Sequence, residues 1–329
     1  MIIIPNIDSK IWNIEDRTAD IVDLMVHQKP VDISLNREGP CCETLGLYYL
    51  LDKLCEKFSY NKKNITIHTC NQLEKHSEYC IVKIPPLYIP ETQKFVLDNQ
   101  QLFLAKTFDT QFKKFGMFIG RSNSIRLRLA SHMFDRYKPQ TALTFHYDCN
   151  KTYHRDHLGF DDMLKVPHTH KELECALELV KSSPIMIQDI EESYPMLSPA
   201  HLNIAKVYHT FFVEIVCETY FTGNTFYPTE KIWRSLALKT PFIIQGPRDY
   251  YNNLRRLGFQ TFHQWWDEGF GEDPYDCQVE SIFHIIKKIN HMTMDELRQM
   301  HSEMKPTLEH NYNLLMSFNP KKFKDIFHE

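Results

Sequence analysis

Residues 211–262 read FFVEIVCETYFTGNTFYPTEKIWRSLALKTPFIIQGPRDYYNNLRRLGFQTF. An apolar run over 211–216 leads into a polar loop. Thr229-Glu230-Lys231 then opens a helical pattern that puts Ile232, Trp233, Leu236 and Ala237 on one face. Pro241 closes that helix and starts a second apolar run, Phe242-Ile243-Ile244, which ends at Gly246-Pro247. A second helix over 250–257 stops at Gly258, and the short run 259–262 reads as a third strand. Strand, helix, strand, helix, strand with short connections is the grammar of a parallel sheet with helices packed on it. Ligands of such sheets sit beyond the carboxyl ends of the strands, where helix N-termini bind phosphate. Thr229-Glu230-Lys231 stands at such a place.

The same alternation begins further upstream. Residues 115–119 read as a strand ending at Gly120, and Arg121-Ser122-Asn123-Ser124 forms a loop that caps a helix over about 125–134. A strand over 143–147 follows, then an irregular His- and Asp-rich stretch, a helix over 171–181 and another over 202–208. The N-terminal third carries its own unit: a strand over 31–35, a turn, an amphipathic helix over 42–58, and strands over 64–69 and 81–84. Residues 111–114 read as a polar crossover. After 262 come a Trp265-Trp266-Asp267-Glu268 segment, an acidic loop through Asp276 expected to be mostly solvated, and two closing helices. The second of these starts at a capping box, Thr293 with Glu296. The fold class expected is α/β, with a Rossmann-like domain over 1–110 and a second over 111–329.

Length and composition agree with this. The chain has 329 residues, 43% hydrophobic and 24% charged, enough for two ordinary domains. A net charge of -4 gives little support to nucleic-acid binding. No stretch reads as a transmembrane span, and the N-terminal apolar run stops at Pro5, too short for a signal peptide. The nine cysteines are scattered without a CxxC pair, which points to reduced thiols and a cytoplasmic setting.

Specific residues raise a family resemblance. Glu218-Thr219, then Thr229-Glu230-Lys231-Ile232-Trp233, then Pro241-Phe242-Ile243-Ile244 resembles the donor-binding signature of α1,3-fucosyltransferases. Ser122-Asn123 followed by Arg126 resembles the start of the donor domain in that family. Leu254, Leu257, Gly258-Phe259, Thr261-Phe262 and Tyr275-Asp276, with the segment 36–51, look closer to uncharacterised glycosyltransferases of giant DNA viruses. The resemblance covers the chain in islands. It implies the GT-B architecture, two Rossmann-like domains facing each other across a cleft. It also implies transfer of a sugar from a UDP- or GDP-linked donor to a glycan hydroxyl, with the donor as substrate, no cofactor, and a viral protein acting in the host cytoplasm.

The chemistry of the residues fits such a site. With Thr229 as N-cap, Glu230 and Lys231 lie in a first turn, where unpaired N–H groups and the helix dipole favour an anion. Lys231 would neutralise a phosphate; the resemblance implies that Glu230 accepts from the ribose hydroxyls. The same three residues also make an ordinary capped helix start. Arg126 can bridge two phosphate oxygens and stabilise a leaving diphosphate, with Arg121 as the competing choice and Asn123 beside them. Arg128 reads as a solvated helix charge. Glu218 follows a strand end and is either a ligand for sugar hydroxyls or a loop carboxylate; Asn224 lies in the adjoining loop. Tyr220 reads as a stacking surface or as core. An inverting transferase needs a carboxylate to deprotonate the acceptor. Glu38, past the first long N-terminal strand, is the best placed; Asp32 lies inside that strand and Glu43 in a helix first turn.

No metal is expected. Asp161-Asp162 follows no clear strand, and His154, His157, His168 and His170 fit no helix-face ligand pair. A nucleotide-sugar epimerase is disfavoured because the chain has no GxGxxG loop. A non-catalytic carbohydrate-binding or assembly protein with a degenerate transferase fold is the rival from another class.

Overall fold

The computed structural model describes residues 1–4, 6–8, 11–12, 17–35, 38–86, 88–100, 106, 108–147, 159, 163–165, 168–187, 202–273 and 275–327. In chain order the elements are β1 (Ile2–Ile3), β2 (Asn6–Asp8), β3 (Ile11–Trp12), α1 (Thr18–Val26), β4 (Val31–Ser34), α2 (Leu47–Phe58), β5 (Ile65–Thr69), β6 (Cys80–Lys83) and α3 (Tyr88–Asp98). They continue with β7 (Lys113–Ile119), α4 (Ser124–Tyr137), β8 (Thr141–Phe145), α5 (His170–Lys181), α6 (Leu202–Val207), β9 (Phe211–Cys217), α7 (Glu230–Ala237) and β10 (Phe242–Gln245). The chain then runs through α8 (Tyr250–Arg256), α9 (Tyr275–His291), α10 (Met294–Ser317) and α11 (Lys322–Phe327). The result is an α/β protein with two four-stranded parallel sheets, compatible with two Rossmann-like domains.

The larger sheet has the order β10-β9-β7-β8. Every residue of β8, β9 and β10 is buried, as is β7 after its first lysine. Burial on both faces is why these strands read as continuous apolar runs rather than alternating ones. Gly116 is required inside β7, because a Cβ there would stand 2.5 Å from the Phe211 ring on the neighbouring strand. The order reverses at β7: β8 pairs on one side of it, β9 on the other. That makes the carboxyl ends of β7 and β9 the topological switch point, where ligands of open α/β sheets bind. The smaller sheet runs β1-β4-β5-β6 in one direction, and α1 and α2 pack together beside it over Ile21, Met25, Ile33, Leu51 and Ile67.

Several expectations need correction. The helix expected from 42 begins at Leu47, because Gly46 sits at φ 72° and the Cys42 amide donates to Glu74 Oε2 at 3.0 Å instead of entering a helix. Residues 259–262 form no strand: Phe259 and Phe262 are buried, but Asn311 serves the backbone, accepting from Gln260 N–H and donating to Gln260 C=O at 2.8 Å each. The segment 111–114 is not wholly crossover, since β7 starts at Lys113. A third closing helix, α11, follows the two foreseen. Helix α3 falls within 1–110, yet Ile89 and Val96 belong to the larger core and α3 packs on α7 and α10. At the other end, α11 returns to the first sheet, where Lys83 Nζ donates to Phe327 O at 2.6 Å.

One part-buried lysine makes stability depend on pH. Lys106 Nζ donates to the carbonyls of Tyr208 and Phe211, both at 2.6 Å, and burial pulls its pKa down to about 7. In the unfolded chain a lysine titrates near ~10.4. Between these values the unfolded chain holds a proton that the folded one lacks, so stability rises with pH, by up to roughly 1.4 kcal/mol per pH unit from this group. Urea denaturation at several pH values between 7 and 10 should show a shallower rise in Lys106→Met than in the native chain; parallel profiles would refute the assignment.

Candidate functional site

The segment after β7 is Gly120-Arg121-Ser122-Asn123. Asn123 caps α4, its side chain accepting from Arg126 N–H at 2.9 Å, which sets Arg126 in the first turn facing the end of β9. Among the described residues the guanidinium donates to carbonyl oxygens: Arg121 O at 2.9 Å, Cys217 O at 3.0 Å and Glu218 O at 2.8 Å. It is 4% exposed, and burial lowers its pKa. Among the described residues Nε has no hydrogen-bond partner and no carboxylate pairs with the group. Glu230 and Glu218 lie near enough to favour its charge, yet neither forms an ion pair with it among the described residues, and a buried cation bonded to carbonyls favours an added anion.

The end of β9 leads to Glu218, 1% exposed. Its carboxylate accepts from Thr229 N–H at 3.3 Å and from the hydroxyls of Thr229 and Tyr250. Burial raises its pKa despite Lys231 nearby. Glu218 thus holds the start of α7. Thr229 is the N-cap, accepting from Lys231 N–H at 3.4 Å. Lys231 Nζ pairs with Glu230 Oε1 at 2.9 Å and also donates to Thr219 and Thr229. Burial alone would raise the Glu230 carboxyl, but the charge and hydrogen bond of Lys231, with Arg234 and a backbone hydrogen bond, together hold it below the usual range.

The loop over 219–229 docks on the first sheet's unit. Tyr220 OH donates to Glu38, which lies at the carboxyl end of β4 with its amide donating to Leu35 O at 2.8 Å. Thr225 Oγ1 donates to Gly39 O, and Gly39 must lack a side chain because a Cβ would meet Tyr227 at 2.6 Å. Asn71 bridges twice, donating to Asn224 O at 2.9 Å and accepting from Phe226 N–H at 2.9 Å. The rings of Tyr88 and Tyr220 flank Tyr227 at 6.1 and 5.9 Å. Burial raises the pKa of Tyr88, with added contributions from Glu230 and Glu38, which reach it from opposite units.

Arg121, Asn123, Arg126, Glu218, Thr229, Glu230 and Lys231 therefore gather at one switch point, with Glu38 across the seam. Asn224 is exposed, and its backbone carbonyl accepts from Asn71. Arg128 is not a solvated charge: it is 8% exposed and bridges Glu172 at 2.8 Å and Glu280 at 2.6 Å. Glu268 also leaves the expected solvated loop, being buried and accepting from Phe262 N–H at 2.7 Å and from Arg255. Asn71, Tyr88 and Thr219 were missed. The signal for Asn71 was its place two residues past a strand end.

His154, His157, Asp161 and Asp162 lie outside the described residues. His170 sits exposed at the start of α5, 3.3 Å from Glu174. Among the described residues no three His, Cys, Asp or Glu side chains converge as a metal ligand set, and no helix is long and apolar enough to cross a membrane. A cavity of about 830 Å³ opens beside the amino ends of β7 and β8, away from the cluster. The chain matches no family model, and comparison with curated proteins and with solved structures finds no match.

Proposed function

We propose that this protein is a glycosyltransferase of GT-B architecture that moves a sugar from a nucleoside-diphosphate donor to a glycan hydroxyl. One observation carries the reading: the buried Arg126 guanidinium, which makes no ion pair among the described residues, shares the switch point of the larger sheet with the Thr229-capped start of α7 and Lys231. Helix N-termini and cations at such a point suit a diphosphate. As the glycosidic bond breaks, the leaving diphosphate gains charge, and Arg126 and Lys231 lower the barrier by binding it more strongly then. Glu38, on the other unit, takes the acceptor proton as the hydroxyl attacks, which inverts the anomeric centre.

A thermal-shift screen of nucleotides and nucleotide sugars tests the donor site. The Glu38→Gln variant is expected to keep the donor-induced shift and to lose transfer by about 100-fold or more, the range of a general base. Transfer at the native rate would place the base elsewhere. The internal pairing of Glu218 with Thr229 and of Lys231 with Glu230 favours a second reading, a non-catalytic carbohydrate-binding protein on the same fold. Absence of both binding and turnover across UDP- and GDP-sugars would support it.

A further inference from the structure

Resting on that reading of the donor site, we propose that Thr219 and Tyr220 form a latch which holds Glu38 until an anion occupies the Lys231 site. An ammonium has three N–H donors. Those of Lys231 reach Glu230 Oε1 at 2.9 Å, Thr219 Oγ1 at 3.1 Å and Thr229 Oγ1 at 3.2 Å. A phosphate oxygen must therefore displace one of them. Glu230 forms an ion pair with both side chains under 10% exposed, which is costly to break. Thr229 Oγ1 caps α7 and donates to Glu218. Thr219 is a neutral acceptor in a loop and is the partner released.

Thr219 is joined through a planar peptide to Tyr220, whose hydroxyl donates to Glu38 on the other unit. The segment is anchored on both sides. Glu218 N–H donates to Gln245 O at 2.9 Å, and Thr225 and Phe226 are bonded to Gly39 and Asn71. Asn224 O also accepts from Asn71 at 2.9 Å, so displacement at Thr219 is confined to 219–223, where Tyr220 OH donates across the seam to Glu38. The negative charge of the arriving phosphate also opposes the Glu38 carboxylate, which acts in the same direction. Glu38 leaves Tyr220 and becomes available to an acceptor hydroxyl only once the donor is bound. Tyr220 is a positioning residue, and it imposes donor-first order.

Coupling of this kind is reciprocal: if anion binding opens the latch, opening the latch by mutation must strengthen anion binding. Inorganic pyrophosphate is the probe, with affinity measured by calorimetry and Glu38 availability by carbodiimide labelling read by mass spectrometry. In the native chain pyrophosphate should raise Glu38 labelling. In Tyr220→Phe labelling should be high from the start and insensitive to pyrophosphate, and affinity should rise roughly three- to tenfold, the scale of one lost hydrogen bond. Glu38→Ala should bind tighter by a similar factor while leaving the Tyr220 ring in place. A purely structural role for Tyr220 predicts unchanged or weaker binding, and that result, or equal affinities in all three proteins, overturns the latch while leaving the donor site intact. No pyrophosphate binding by any of them overturns the donor-site reading and the latch with it.

Discussion

Replacing Lys231 with alanine is expected to abolish the thermal stabilisation that a nucleoside diphosphate confers on the native protein. A ligand present at one hundred times its Kd adds about 2.7 kcal/mol, and for a chain of this size each kcal/mol raises the midpoint by roughly 1–2 °C. Lys231 is 7% exposed and lies in the first turn of α7, one residue past Glu230 and two past the cap. Removing a desolvated cation from an anion site costs about 2–5 kcal/mol of binding, enough to erase the shift. The variant also leaves Glu230 buried without its partner, so its own baseline falls. The comparison that matters is the ligand-induced shift of each protein against its own ligand-free midpoint. A shift of native size in Lys231→Ala would end the assignment of this helix start to phosphate.

The largest loss of stability is expected at Glu214. It interrupts the apolar run of β9 and is 1% exposed, paired in register with Phe242 on one side and Gly116 on the other. Its carboxylate accepts from Tyr208 OH at 2.7 Å, from Arg234 Nη2 at 2.9 Å and from Ser235 Oγ. Burial alone would lower the pKa of Arg234, yet Tyr208 and Glu214 raise it, and its guanidinium lies 5.4 Å from the Phe118 ring centroid. Glu214→Ala removes the carboxylate that pairs with the buried Arg234 guanidinium, and breaking a buried pair from one side costs about 3–5 kcal/mol. The thermal midpoint should fall by about 4–7 °C. Glu214→Gln keeps acceptors for Tyr208 and Ser235 and should cost less. A loss below about 1 kcal/mol in Glu214→Ala, read by denaturant unfolding, would contradict this account.

Much of the larger sheet was legible in the chain because its signals are local. Strands β7, β9 and β10 are buried on both faces, so their residues are apolar in sequence without any need to know what covers them. The caps Asn123, Thr229 and Thr293 act on amides within three residues, so helix starts could be placed from spacing. The grouping of Arg126 with Lys231 followed from reading both as starts of helices after parallel strands. What escaped was each polar group whose partner is remote. Arg128 looked solvated because Glu280, 152 residues away, is invisible from a helix pattern. The run 259–262 looked like a strand because nothing nearby announces that Asn311 will serve its backbone.

The sequence by itself determined the class of the fold and where along the chain its anion-favouring helix starts fall, since periodicity and capping are settled within a few residues. Only the tertiary structure decided how those starts are used. It set the strand order that puts β9 beside β7 and so brings Arg126 to Glu218. It turned Glu218 inward onto Thr229 and Tyr250, and it docked the 219–229 loop on the first sheet, so that Tyr220 meets Glu38 and Asn71 ties the units together. The physical reason is that burial and pairing depend on partners a hundred or more residues apart, and a side chain's charge, exposure and bonding are fixed by those partners rather than by its neighbours in sequence.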